Sequence, residues 1–454
     1  MSDPLIVVSG DGHVAAPPEH YAQYLEQQYK PLVIDLIREN VEYLQNFTVA
    51  TRPSSEVLEV FDRRNLARSG GEFGSFDIDV RLQQMDAEGI AAEILHPATQ
   101  CATLPFFFVV NKPRSPEIRA AGQRAYHRWL ADFMSRSNGR LFGIAEPGPC
   151  LDMDATIAEL RWCADNGYRG VFLPGATADP DLPPLTDPYF EPFWDACDEL
   201  GLVLEVHAGW GQSQERTWQI FDMIKKFMAE HAGDPTIRSE QIGEALNMGE
   251  GARLALDLGP RRAMWQLMLG GVFDRHPNLK LALVEVRADW VPPTLTQLDA
   301  RCDRGDVRLS MKPSEYYRQN VVVTPSSPHR CEVEMRHELG IDQFLFGQDF
   351  PHWEGTWPNT LDWIGVAFAD VPETEARKLL GENAIDVYRL DRAHLATVAA
   401  AIGPNPSVLA DHPVDAALLA DFNRRSRIQA GPDPVDLDAV DRAFGEDLAL
   451  VPAR

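Results

Sequence analysis

The chain has 454 residues, 44% hydrophobic and 24% charged, the balance of a globular protein with room for one large domain plus extensions, or for two. With 42 basic and 68 acidic residues its formal net charge is −26, a field that repels phosphate backbones and anionic membranes, so neither nucleic acid nor membrane is an expected partner. The six cysteines form no CxxC pair, no apolar stretch approaches the ~20 residues of a membrane span, and residues 1–10 lack the pattern of a secretory leader, so a cytoplasmic protein is expected.

In chain order, eight short apolar runs alternate with helical patterns: 5–11, 91–97, 140–147, 170–175, 202–209, 280–287, 320–325 and 344–351. Between them, 153–167 and 190–201 read as helices, the second with apolar residues at 190, 193, 194, 197 and 200 and a closing glycine. Alternation of this kind predicts an α/β protein, a (β/α)8 TIM barrel. Long insertions are expected after strand 1 (14–80) and after strand 5 (210–275), the latter holding helix-like stretches over 217–231 and 255–273. Each serves as a lid or substrate wall, or as a scaffold helix. The barrel domain is placed at 1–391, and residues 392–454, broken by GPNPS and GPDP, form a helical C-terminal extension packed on the barrel or on a partner subunit.

A barrel of this type builds its active site from polar residues at the carboxyl ends of its strands. Here those ends carry Asp11 and His13, His96, Glu146, His207, Glu285, Thr324 and Asp349. Asp11 and His13, at i and i+2, face the same side of a strand. Alone, the pair is equally a turn-capping aspartate beside a surface histidine, and His207 alone is a hydrogen-bonded core residue. Three strand ends that converge in a closed barrel and supply Asp, His, His and Asp favour a divalent metal held by Asp11, His13, His207 and Asp349.

The residues at this point carry a resemblance. RLQQMDAEGIAAEILHPA (81–98), GYRGVFLPG (167–175), DPYFEPFWDACDELGLVLEVHAG (187–209), HPNLKLALVEVRADWVP (276–292), FGQDFPH (346–352) and LLGENAIDVYRLD (379–391) resemble the amidohydrolase superfamily. The likeness is to its branch of metal-dependent TIM-barrel hydrolases and decarboxylases related to aminocarboxymuconate semialdehyde decarboxylase, and it covers roughly residues 4–391. The resemblance implies that Asp11 and His13 fall on the first-strand metal pair, His207 on the strand-five metal histidine, and Asp349 on the strand-eight aspartate that also handles a proton. Many members place a histidine at the end of strand six; this chain has Glu285. No lysine follows strand four, where the run reads GVFLPGA, so a single metal ion is expected, Zn, Mn or Fe.

The departure at Glu285 leads to an expected metal-dependent hydrolase, in which Asp349 and Glu285 move protons for metal-activated water attacking an amide, lactone or related bond of a small substrate. The alternative is a nonoxidative decarboxylase of a small aromatic or unsaturated acid. A catalytically silent barrel with a binding role is the third reading. His96, Arg287 and Trp210 are expected to bind substrate, each with a structural rival: a satisfied histidine, an ion pair with a nearby acid, and a packing tryptophan. His352 is expected to support its loop, and Glu205 to be structural. A small-molecule substrate and a homodimer or higher homo-oligomer are the expected partners.

Overall fold

A parallel strand covered on both faces has no wet side to alternate with, so it reads as an unbroken apolar run. The computed structural model describes residues 3–45, 55–98, 102–108, 111–175, 181–210, 226, 230, 250–410, 416–425 and 436–451. Seven of the eight expected runs are strands there: β1 (Val7–Val14), β2 (Ile90–Pro97), β3 (Leu141–Ala145), β4 (Tyr168–Phe172), β5 (Val203–His207), β6 (Leu281–Val284) and β7 (Val321–Thr324). They pair in parallel, in sequence order, as one sheet.

The eighth run differs from expectation. Residues 344–350 form no regular strand but make single parallel bridges, Val323↔Phe344 to β7 and Gly12↔Phe350 to β1. Leu345 N donates to Val323 O at 2.9 Å on one side, and Gly10 N donates to Phe346 O at 2.7 Å on the other. The sheet therefore curls until its two edges share this segment. Gly10 permits the approach, since a Cβ there would lie 2.9 Å from Thr324 Cγ2. Asp349 breaks the strand, because its φ of 60° lies in the left-handed region that no extended residue occupies. Inside the curl, Val8, Ile94, Phe142, Val203, Val284 and Val322 pack with Ile385, Tyr388 and Leu390.

Helices form where caps and periodicity agree. Asp152 caps Met153–Asp165 by accepting from Ala155 N at 3.0 Å, and Glu191–Leu200 stops at Gly201, whose φ is 65°. The 255–273 stretch is helical as Glu250–Leu269 and Val272–Arg275. The helix expected over 217–231 lies outside the described residues apart from 226 and 230. Between β1 and β2, helix Ile78–Glu88 carries the buried Arg81, whose Nε donates to Glu93 Oε2 at 2.6 Å and whose Nη1 donates to His13 O at 2.9 Å. Its guanidinium also lies 4.3 Å from the Phe350 ring centroid, so one side chain ties the helix to β1, β2 and the bridging segment.

The C-terminal residues form helices Arg392–Ile402, Ala416–Arg425 and Leu437–Ala449. The last is anchored by Asp447, 1% exposed, which accepts from Arg262 at 3.0 and 2.8 Å, from Trp265 Nε1 at 2.7 Å and from Gln266 Nε2 at 2.9 Å. Among the described residues no helix is long and apolar enough to cross a membrane.

Asp447→Ala removes the acceptor of the indole N–H and one of the two acids that pair with Arg262. We expect a loss of about 3 kcal/mol of stability, read from urea unfolding, with early proteolytic release of the 437–449 helix.

Candidate metal centre

The site is assembled by backbone bonds before any side chain is considered. Asp349 N donates to Asp11 O at 2.8 Å and His13 N donates to Phe350 O at 2.6 Å, which locks the end of β1 against the bridging segment. His207 closes β5, and Glu285 follows directly on β6, where its N donates to Thr324 O at 3.0 Å. Glu285 has a φ of 52°, so both it and Asp349 hold left-handed backbone that costs a non-glycine residue about 1 kcal/mol or more. Strain of this kind aims the two carboxylates where an extended strand would not.

The side chains then converge. Asp11 Oδ1 lies 3.3 Å from His13 Nε2 and 3.5 Å from His207 Nε2; His13 Nε2 lies 3.1 Å from Asp349 Oδ1; His207 Nε2 lies 3.1 Å from Glu285 Oε2. The ligand-capable atoms of Asp11, His13, His207 and Glu285 all fall within 4.8 Å of one another, as do those of His13, Glu285, Asp349 and His352. Asp11 Oδ1, His13 Nε2, His207 Nε2 and both Asp349 oxygens are buried without a hydrogen-bond partner, while Asp11 Oδ2 accepts from Ser326 Oγ. Two ligands each about 2.1 Å from an ion sit roughly 3.0–3.4 Å apart, and Asp11–His13 at 3.3 Å and His13–Asp349 at 3.1 Å match that spacing. Orphaned acceptors of this kind fit a divalent cation, and His13 belongs to both groups: Asp11 and His207 join it in one, Asp349 and His352 in the other, with Glu285 in each.

The electrostatics agree with that fit. Burial lowers the affinity of His207 for a proton, yet Glu285, Asp11 and Asp349 outweigh it and push its pKa up to about 9. His352 is likewise buried, and the Asp349 carboxylate pushes it up to about 10. Burial, with Asp349 and Asp11 as like charges, holds Glu285 well above the usual carboxylate range against the pull of His207. Three carboxylates facing inward make a space that gathers positive charge.

The structure brings Asp11, His13, His207, Glu285 and Asp349 together, and His96 beside them. His96 is fully buried, with Nε2 2.6 Å from Glu205 Oε2. Arg287 is engaged already: Nε and Nη2 donate to Asp289 at 3.1 and 2.7 Å, the ion pair that was its structural rival. Trp210, just past His207, donates its indole N–H to Leu173 O at 3.1 Å and is partly buried. His352 is the residue that sequence reasoning set aside. Its N donates to Asp349 O at 2.8 Å in a tight turn, which folds the ring back to stack on His13 at 4.0 Å with Nδ1 2.8 Å from Asp349 Oδ1. The i+3 spacing in DFPH was the available signal.

A curled parallel sheet that gathers carboxylates and imidazoles at its strand ends is an α/β fold with a candidate metal site. The chain belongs to the amidohydrolase family, whose description matches residues 108–390, and within it to the branch related to aminocarboxymuconate semialdehyde decarboxylase. Asp11 and His13 lie before the matched residues, and only the fold brings them to the site. The chain is 26% identical over 338 residues to the gamma-resorcylate decarboxylase of Rhodococcus jostii, covering 69% of this chain and 88% of the relative. It is 23% identical over 323 residues to the 2-amino-3-carboxymuconate-6-semialdehyde decarboxylase of Dictyostelium discoideum, covering 70% and 77%.

Among solved structures, an amidohydrolase from Mycobacterium avium subsp. paratuberculosis aligns with TM-score 0.57 and 18% identity, over 85% of this chain and 99% of that one. A 5-carboxyvanillate decarboxylase from Novosphingobium aromaticivorans, solved with bound manganese, aligns with TM-score 0.55 and 18% identity, over 85% and 97%. The expected hydrolase is overturned by the sequence relatives, which are decarboxylases across most of their length. That expectation rested on one residue, Glu285, and similarity over 69% of this chain outweighs it.

Two outcomes test the centre. Manganese at 100 times its Kd should stabilise metal-stripped protein by about 2.7 kcal/mol, seen as a rise in Tm that Asp349→Asn reduces by more than half. Glu285→Asn, which relieves both left-handed strain and carboxylate crowding, should raise the stability of the metal-stripped protein by about 1 kcal/mol in the same assay.

Proposed function

We propose that this chain is a metal-dependent nonoxidative decarboxylase of a small aromatic or unsaturated acid. The observation that carries the reading is a 26% identity spanning 88% of a gamma-resorcylate decarboxylase, in a chain whose buried strand ends hold the cluster described above. We read the curled sheet as a (β/α)8 barrel with 344–350 as its eighth strand, the stretches after β1 and β5 as insertions, and 392–454 as a helical extension. Asp11, His13, His207 and Asp349 would hold one divalent ion, and the manganese seen in a structural neighbour favours that metal. Bound there, such an ion would supply positive charge that stabilises the negative charge developing on the substrate as CO2 leaves.

The chain's own groups do the rest. As the C–C bond breaks, its electron pair stays on the substrate carbon and CO2 departs, while Asp349, which the imidazoles of His352 and His13 hold below the usual carboxylate range against burial, passes to that carbon a proton taken from His352. His352, 2.8 Å from Asp349, is the source of that proton and takes up another from solvent afterwards, and His13, stacked on His352, keeps both in register. Glu285 meets His207 at the same Nε2 that faces Asp11, 3.1 Å away, so it shares the centre with that ring. The full burial of Asp349 keeps bulk water from competing for its proton.

Metal-loaded protein should release CO2 from at least one member of a panel of ortho-hydroxybenzoic acids that includes 2,6-dihydroxybenzoate. In D2O the product should carry one deuterium at the carbon that lost CO2. Asp349→Asn should lower turnover by roughly 100-fold or more. No CO2 from any acid of the panel, together with turnover of a lactone, would contradict the proposal.

A further inference from the structure

We propose that His96 is a positioning residue for the Asp11 carboxylate, and that a buried chain through Glu205 to Tyr388 holds it in place. The inference rests on the reading of Asp11 as a metal ligand. Its starting observation is a set of polar groups where packing alone would place apolar ones. Glu205 and His96 have no exposed surface and Tyr388 is 1% exposed, yet they lie among the valines, isoleucines and phenylalanines that fill the curl. Burying a carboxylate costs several kcal/mol unless its oxygens are satisfied. Both are satisfied: Tyr388 Oη donates to Glu205 Oε1 at 2.6 Å, and His96 Nε2 lies 2.6 Å from Glu205 Oε2.

That second contact fixes the imidazole's rotation and aims its other nitrogen. His96 Nδ1 lies 3.5 Å from Asp11 Oδ1, and neither atom has a conventional hydrogen bond elsewhere. Asp11 Oδ2 is held by Ser326, so the carboxylate is gripped at one oxygen and faced at the other. His96 is not among the described residues whose ligand atoms gather within 4.8 Å, so it acts through Asp11 and does not join the centre. Burial and the neighbouring Glu205 also hold the Tyr388 hydroxyl protonated, which keeps it a donor. Outer partners of this kind orient metal ligands, and their loss typically weakens metal affinity 10- to 100-fold.

The test is Mn(II) binding to metal-stripped full-length protein, by calorimetric titration and by the EPR spectrum of the bound ion. His96→Phe keeps a ring without nitrogens and should weaken Mn(II) at least about 10-fold and change the EPR line shape. His96→Asn keeps a polar side chain near the Nδ1 position and should recover part of that loss. Tyr388→Phe and Glu205→Gln give the same direction with smaller effects, and they decide the matter if His96→Phe does not fold. Unchanged affinity and line shape in the folded variants would overturn the proposal. Asp11→Asn separates the two levels: if it also leaves Mn(II) binding unchanged, the metal centre itself is wrong, whereas if it weakens binding and the chain variants do not, only the role of His96 falls.

Discussion

Asp11, Glu285 and Asp349 bring three carboxylates into one buried space, faced by the imidazoles of His13, His207 and His352. Taking a carboxylate out of water costs several kcal/mol, and like-signed neighbours add to that cost. A chain relaxes such crowding by rotating side chains outward unless the surroundings forbid it. Here they do: backbone bonds join Asp11 to Asp349 and His13 to Phe350, and Arg81 clamps the same segment from behind. The left-handed backbone at Glu285 and Asp349 belongs to the same account, as strain held in place by a rigid sheet. A cation relieves all of these terms at once.

Much of this was legible in residue order. Unbroken apolar runs such as Val321–Val323 read as buried parallel strands, and seven of eight became strands. The eighth did not, because Asp349 needs a backbone that a strand excludes, and an apolar pattern carries no record of φ. Strand-end position alone points to Asp11, His13, His207, Glu285 and Asp349, since metal-capable residues at the ends of buried strands are hard to explain by packing. His352 escaped it because a turn, not a strand, returns that ring to the site. Arg287 looked available because its partner, Asp289, stands two residues on in an irregular stretch. The chemistry was misread at Glu285, where one departure from a family pattern was given more weight than the likeness over 69% of the chain.

The same constraint extends below the site and around it. Glu205, His96 and Tyr388 carry polar contacts down through the interior of the curl, among apolar side chains that come from all seven strands. On the outside, Asp447 fastens the last helix to Glu250–Leu269, whose Gly259 lies so close to Trp210 that an added Cβ would come 2.5 Å from the Trp210 carbonyl. Trp210 in turn follows His207 by three residues. The C-terminal helices thus brace the wall that stands next to a proposed ligand, which gives their attachment a consequence for the site.

The central claim is the position of the metal. Anomalous diffraction at the manganese edge, from crystals grown with Mn(II), tests it directly. The account predicts one strong peak about 2.2 Å from Asp11 Oδ1, His13 Nε2, His207 Nε2 and an Asp349 oxygen. A crystal with no peak at that point, or with its only peak held by other residues, would contradict it.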